Sequence, residues 1–388
     1  MESSATGYNA DMRANISPRL VQLAACILLT ALLAACGSPT PPATATPIAP
    51  PIEPSTTPTV PPPQPSQTPQ PAFDLQTLRN QDYTLADFRT MLTETDGVIR
   101  LRDGVFDHPI PNSAAIVHAQ FVDGVQGDLD GDGKPDAVVV LAVNSGGSGV
   151  FHYLIALLNR NQTLQQAAST SLGDRVQIKA LGIQDGVIHL QELAHTPSDP
   201  QCCPTLDKTV DYKLVGDQLA PVEYAGAMQQ ALAAIQALEQ QDMSALAALA
   251  HPTQGVRFSP YAYVKDEELV FTPEQIASLM DDPTVYTWGA FDGSGEPIQM
   301  TFSEYYPRFV YSSDFAHPDS ISVNQRIGVS NTIDNSQEYY PGGVVVEFYA
   351  APQDPQYGGM DWQSLRLVLL AEGDSWRLVG VIHDEWTI

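Results

Sequence analysis

The sequence predicts a mainly β module followed by an α+β module, both carried behind a disordered, proline-rich arm. Three observations support this. Between residues 73 and 222, apolar runs of strand length alternate with Asp-Gly and Gly-Asp turns. From residue 223 a helical period rich in Ala, Leu and Gln comes first and β-rich runs come last, the order expected of an α+β fold. Ahead of both, the excess of the chain's 32 prolines lies in one block from Ser38 to Pro71.

The first residues read as a leader. Arg13 and Arg19 precede an apolar run from Leu20 to Ala35. At about 16 residues this run is short for a membrane span, which needs about 20, and suits the hydrophobic region of a signal peptide. The tetrapeptide Leu-Ala-Ala-Cys occurs twice, ending at Cys26 and at Cys36. Only residues 20–25 stand before Cys26, whereas Cys36 has the whole run behind it and Gly37-Ser38 ahead. Leu33-Ala34-Ala35-Cys36 resembles the lipobox of bacterial lipoproteins. That resemblance implies a signal peptide over 1–35, cleavage before Cys36, a diacylglycerol on its sulfur, and an exported protein anchored to the cell membrane or outer envelope, facing the extracytoplasmic side. Glu2 and Asp11 are unusual in a positive leader, and Met12 is an alternative start.

Residues 36–72 read as a tether. Pro locks φ and favours extended polyproline conformation, and little here could build a core. At about 3.1 Å per residue such an arm reaches roughly 100 Å.

The first module is expected over 73–222, with a short helical lead-in near Leu75–Leu92. "AVVVLAV" and "FHYLIALLN" are continuous apolar runs; "RVQIKALGI" and "GVIHLQEL" flank an Asp185-Gly186 hairpin, and Gly216-Asp217 marks another. The sharpest chemical feature is "GDLDGDGKPDAVVV". Asp128, Asp130, Asp132 and Asp136 supply carboxylates at the first, third, fifth and ninth positions of a tight loop, with Gly133 sixth and the Lys134 carbonyl seventh. Calcium wants six to eight hard oxygens, and this pattern offers them. Val139 stands where an EF-hand has its bidentate Glu. The loop therefore resembles the loop-to-strand calcium motifs of extracellular β proteins such as FG-GAP repeats, which implies Ca2+ in a structural role. An Asp/Gly-rich turn without metal is the alternative. Cys202 and Cys203 are the only cysteines beyond the leader. In an oxidising compartment they could close a vicinal disulfide, pair between molecules or stay reduced; His195 and Asp199 keep a copper or zinc site open.

The second module is expected over 223–388. A break at Gln241-Asp242 separates two helices, with Asp242 as N-cap. Thr272-Pro273 with Gln275 opens a third helix, and Thr301 or Ser303 a fourth. An antiparallel sheet closes the chain, its last pair turning at Glu372-Gly373-Asp374. The stretches "GDLDGDGKPDAVVVLA", "GGSGVFHYLIALLN" and "DPQCCPT" in the first half, and "GVRFSPYAYV", "VYTWGAFDGSGEPI", "YPRFVYSSDFAHP" and "LVGVIHDEWTI" in the second, resemble two modules of bacterial exported proteins with no assigned activity. The helical lead, "LAHP" and the closing strand pair also resemble the nuclear-transport-factor-two-like cone fold. This implies a pocket, for which His317, His383, Tyr261, Trp288 and Trp386 are candidates, with His251, Asp384, Glu385, Tyr263, Tyr305 and Tyr306 nearby in the same reading.

Charge bounds the partners. With 18 Lys+Arg against 45 Asp+Glu the chain carries −27 and has no basic stripe, which argues against nucleic acid. No nucleophile elbow or metal-hydrolase spacing is present, so no catalytic residue is named. The expectation is a lipid-anchored extracytoplasmic protein that binds a cell-wall, small-molecule or envelope-protein ligand; the alternative is an envelope hydrolase with its pocket in the second module.

Overall fold

The computed structural model describes residues 73–387, apart from 90, 111 and 112; the signal peptide, Cys36 and the proline-rich arm expected above lie outside the described residues. Of the described residues 43% are strand and 19% helix, so the chain is mostly β, arranged in several antiparallel sheets.

The lead-in is shorter than the apolar spacing suggests. Helix α1 (Leu75–Arg79) starts on Asp74, whose carboxylate accepts from Thr77 N, and ends after five residues. The chain then enters β1 (Asp82–Thr84), which pairs with β2 (Val98–Arg100). Tyr83 is fully buried there and its hydroxyl donates to the Leu78 carbonyl at 2.7 Å, so burying this ring in a strand outweighs continuing the helix.

A five-stranded meander follows: β3 (Val105–Pro109), β4 (Ile116–Gly127), β5 (Asp136–Asn144), β6 (Phe151–Arg160) and β7 (Thr163–Asp174). A second, four-stranded sheet is built from β8 (Gln177–Gln184), β9 (Val187–Ala194), β10 (Leu206–Val215) and β11 (Gln218–Pro221). Side chains alternate across a strand, and here each face has its own cover. Ala137, Val139, Leu141 and Val143 of β5 pack with Leu78, Tyr83, Phe88 and Ile99. Val138 and Val140 pack on the other side with Ile188, Leu190 and Tyr212 of the second sheet. Burial on both faces is why β5 and β6 read as unbroken apolar runs. The β8–β9 turn has positive φ at both Asp185 and Gly186, the hairpin geometry whose twist matches the flanking strands.

The remaining elements surround a six-stranded sheet. Helices α2 (Ala225–Glu239) and α3 (Met243–Leu249, N-capped by Asp242) lead to β12 (Val256–Ser259) and β13 (Val270–Phe271). Then come α4 (Pro273–Ile276), the hairpin β14 (Tyr286–Ala290) and β15 (Pro297–Met300), α5 (Phe302–Phe309), β16 (Ser320–Val323), α6 (Ser336–Tyr339), β17 (Val344–Ala350), β18 (Gln363–Glu372) and β19 (Ser375–Glu385). Both α4 and α5 begin with reciprocal capping boxes, Thr272/Gln275 and Thr301/Glu304. The sheet order is β13-β12-β19-β18-β17-β16. One pairing departs from the antiparallel expectation: β12 runs parallel to β19, in the register Arg257 with Gly380. Parallel neighbours require a crossover rather than a hairpin, and the long stretch of chain from β13 to β18 that separates β12 from β19 supplies it.

One face of this sheet packs on the helices through Val346, Phe348, Leu365, Leu367 and Val381 against Ala231, Ile235 and Leu238. Ala220 of β11 belongs to that same core, and Val215 of β10 packs against it. The break expected at residue 222 is thus bridged by shared apolar packing, and the described residues belong to one compact unit. No helix among the described residues is long and apolar enough to cross a membrane.

Candidate functional site

The acidic loop joins β4 to β5. Gly131 and Gly133 both take φ of +79°, a region that only glycine enters without strain, and the chain folds back on its own carboxylates. Asp128 accepts from Gly131 N at 2.7 Å and Gly133 N at 2.9 Å; Asp130 accepts from Asp132 N at 3.2 Å. Asp136 is only 1% exposed, and its two oxygens accept from Leu129 N and Asn159 N, both at 2.8 Å. Its carboxyl is pushed up by burial, with the charges of Asp130 and Asp132 adding to the effect and the two backbone donors opposing it.

Asp128, Asp130 and Asp136 each offer one oxygen, all within 4.8 Å of one another. The expected ligand set is only partly gathered, because Asp132 pairs with Lys134 Nζ instead and accepts from Lys134 N at 2.9 Å. Arg160 holds Asp130 at 2.8 Å. The three converging groups are hard oxygen donors, which fit a hard divalent cation rather than a thiophilic or imidazole-bound one. A further polar atom lies beside the loop: Asn159 donates from Nδ2 to the Pro135 carbonyl at 3.3 Å, while its buried Oδ1 has no partner.

Cys202 and Cys203 are bonded to each other on an exposed turn. Asp199 organises that turn by accepting from Thr196 N, Thr205 N and Thr205 Oγ1 at 2.8–2.9 Å, and these bonds hold its carboxyl well below the usual range. Its carboxylate is therefore engaged by the turn itself.

In the second half a cleft of about 720 Å³ opens between residues 260–268 and the β14–β15 hairpin. The five pocket candidates from the sequence do not converge on it. Tyr261 lines the cleft, and its hydroxyl accepts from Asp292 N at 3.2 Å. Trp288 is fully buried, stacked on Tyr305 at 3.9 Å, with Nε1 donating to the Met300 carbonyl. Strand alternation explains this: Thr287 and Gly289 face the cleft, so Trp288 between them faces the core. His383 is also fully buried, between the Pro260 carbonyl at 3.3 Å and Ser312 Oγ at 3.2 Å; burial pulls it down to about 4 and keeps it neutral. His317 is exposed beside Asp314 and Glu239. Trp386 is half-buried and does not line the cleft, although Thr387 does.

Sequence reasoning passed over Glu268, which lies in "KDEEL", a charge run that reads as solvated surface. Its neighbours Asp266 and Glu267 are exposed, but Glu268 is 8% exposed and lines the cleft. Ser259 Oγ donates to its Oε2 at 2.5 Å. Burial pushes its carboxyl up to about 7, against the opposing pull of Ser259, Lys265 and Arg257. Arg257 fixes this segment by donating from Nη1 to the carbonyls of Lys265, Asp266 and Glu268 at 2.7–3.2 Å, with its guanidinium over the Tyr339 ring.

The other charges predicted near the C-terminus have a structural task. Arg366, 1% exposed, pairs with Asp334 at 2.6 Å and Asp384 at 3.0 Å, and Arg326 grips both oxygens of Asp384 at 2.8 and 2.9 Å. Glu347 accepts from Ile327 N, Gly328 N and Ser364 Oγ. Together they tie the 326–334 segment to the buried face of the sheet. Glu385 forms a forked pair with Arg308 and stands apart from His383 in role. Compared with known protein families, with curated proteins and with solved structures, the chain shows no match.

Proposed function

We propose that this chain is an exported bacterial lipoprotein, anchored by diacylglycerol on Cys36, which uses its proline-rich arm to present a ligand-binding part to the extracytoplasmic space. In this reading the folded part comprises a β-rich module over 73–222 and a cone-like α+β module over 223–388, and the ligand is a cell-wall component, a small molecule or an envelope protein. The cleft beside Tyr261 carries the binding reading, because it combines aromatic walls with a few placed polar groups. The acidic loop supports a bound calcium ion: three converging carboxylates and a buried, unpartnered amide oxygen are the donors such an ion takes. Asp128, Asp130 and Asp136 would hold it, with the Lys134 carbonyl and Asp132 completing the set once Asp132 leaves Lys134. The ion would cross-link the start of β5 to the loop.

The envelope hydrolase remains the second reading, favoured by one observation. Glu268 in the cleft has the near-neutral carboxyl that a general acid requires.

Metabolic labelling of the full chain with an alkynyl fatty acid tests the anchor. Wild type is expected to incorporate label and Cys36→Ser to lose it; label retained by the variant refutes lipidation at Cys36. For the cleft, hydrogen exchange of the full chain with and without envelope fractions is expected to show protection over 260–268 and 287–295. Protection confined to other segments refutes the binding reading.

A further inference from the structure

The cleft's chemistry narrows its ligand. Charge comes first. Among the described residues, Lys265 is the one basic side chain on its wall, against Glu267 and Asp292, and the chain as a whole carries −27. A phosphorylated, sulfated or uronic ligand would be repelled over both short and long range. The second feature is aromatic. Tyr261, Tyr263 and Phe291 line the cleft, and Tyr263 is 44% exposed, a large ring left in contact with solvent at a concave site. Tyr261 and Phe291 are braced from behind by Phe309, with centroids 5.9 and 6.3 Å away. The third feature is uncharged polarity: Thr287, Asn331 and Thr332 share the wall and can both donate and accept. Apolar ring faces combined with many neutral donors and acceptors are the complement of a sugar ring, which has C–H faces and a rim of hydroxyls.

We propose that this cleft binds an uncharged saccharide, its ring lying on Tyr263 and Tyr261 and its hydroxyls hydrogen-bonded to Glu268, Thr332 and Asn331. The proposal rests on reading the cleft as the ligand site. Glu268 is the residue that makes recognition sensitive to acidity. As a neutral acid it both donates and accepts, whereas the carboxylate only accepts. The groups near it are Ser259, Arg257, Lys265 and the phenols of Tyr305, Tyr339 and Tyr340, with the exposed Asp266 and Glu267 flanking it. Sugar binding is thus strongest on the acid side of neutrality.

The test is titration calorimetry and saturation-transfer NMR on the full chain in mild detergent. The probes are chitotetraose, cellotetraose and maltotetraose, with a hyaluronan tetrasaccharide and choline as charged controls. At least one neutral tetrasaccharide is expected to bind at millimolar or lower concentration. Tyr263→Ala should weaken that binding about tenfold or more without changing the melting temperature, since the ring is exposed. Wild type should bind more weakly at about pH 8 than at about pH 6, and Glu268→Gln, which keeps a donor and an acceptor at every pH, should lose that dependence. Failure of all three neutral sugars overturns the proposal while leaving the cleft as the site when a charged control is bound and released by Tyr263→Ala: hyaluronan overturns the uncharged character of the ligand, choline its being a sugar. Sugar binding unaffected by Tyr263→Ala overturns the placement. If no probe binds and the envelope fractions give no protection at the cleft, both readings fall together.

Discussion

Replacing Glu268 by Gln offers the most direct test of the electrostatics of the cleft. The residue is 8% exposed, and burial raises its carboxyl from 4.5 to about 7. A group whose folded-state value is raised binds its proton more tightly in the folded state. Its contribution is therefore fully present below about pH 4.5 and is lost as pH rises through about 7. The interval corresponds to about 3 kcal/mol, taking about 1.4 kcal/mol for each tenfold change in proton affinity. Gln has the same shape, keeps an acceptor for Ser259 Oγ and does not titrate. Near pH 5 wild type and variant should be similar in stability. Near pH 8 the variant should be the more stable by about 2–3 kcal/mol, because wild type then buries a charge. Urea denaturation at the two pH values, followed by tryptophan fluorescence, measures the difference through the transition midpoints. His383 works in the opposite sense: its value is lowered to about 4, so its contribution grows as pH rises from about 4 to about 6.5. Both proteins contain His383, so its effect cancels in the comparison. A wild-type-to-variant difference that is the same at both pH values would refute the argument that Glu268 is held neutral by burial.

Four further outcomes follow from the geometry. Asp136→Ala leaves Leu129 N and Asn159 N without their acceptor and should cost about 2–3 kcal/mol even in chelator. Asp130→Ala, at an exposed position, should cost under about 0.5 kcal/mol yet abolish any rise in melting temperature on adding calcium; a wild-type midpoint indifferent to both calcium and chelator would remove the metal from the loop. Arg366→Leu takes the guanidinium partner from Asp334 and one of two from the buried Asp384, which Arg326 still holds, and should cost about 3 kcal/mol, read as a fall in the urea midpoint. Thr301→Ala removes one half of a capping box at the exposed start of α5 and should cost about 1 kcal/mol, measured in the same way.

Much of the local structure was legible in the sequence because its causes are local. Asp242, Thr272 and Thr301 cap helices through bonds to residues three positions on. Asp185-Gly186 and Gly373 turn hairpins because their own φ is positive. The spacing of Asp128, Asp130 and Asp136 was enough to bring three carboxylates together. Reading failed where distant residues decide. Tyr83 ends up in a strand because β2 and Leu78 enclose it. Arg160, at the end of β6, holds Asp130 at 2.8 Å, a partner 30 residues away that the Asp spacing does not reveal, while Asp132 turns to Lys134 rather than to its fellow carboxylates.

The same division governs the candidate site. Taken alone, the sequence determined the elements, the turns, the excess of negative charge and an acidic loop, since each depends on residue type and short spacing. Only the tertiary structure decided which polar groups face a cavity. Alternation on β14 turns Trp288 into the core and Thr287 toward the cleft, and the pairing of β12 with β19 sets where residues 260–268 begin. Arg257 then draws the acidic run inward, so that Glu268 loses most of its contact with water while Glu267 keeps it. Burial of one carboxylate among several similar ones is a property of packing, and no pattern of neighbouring letters encodes it.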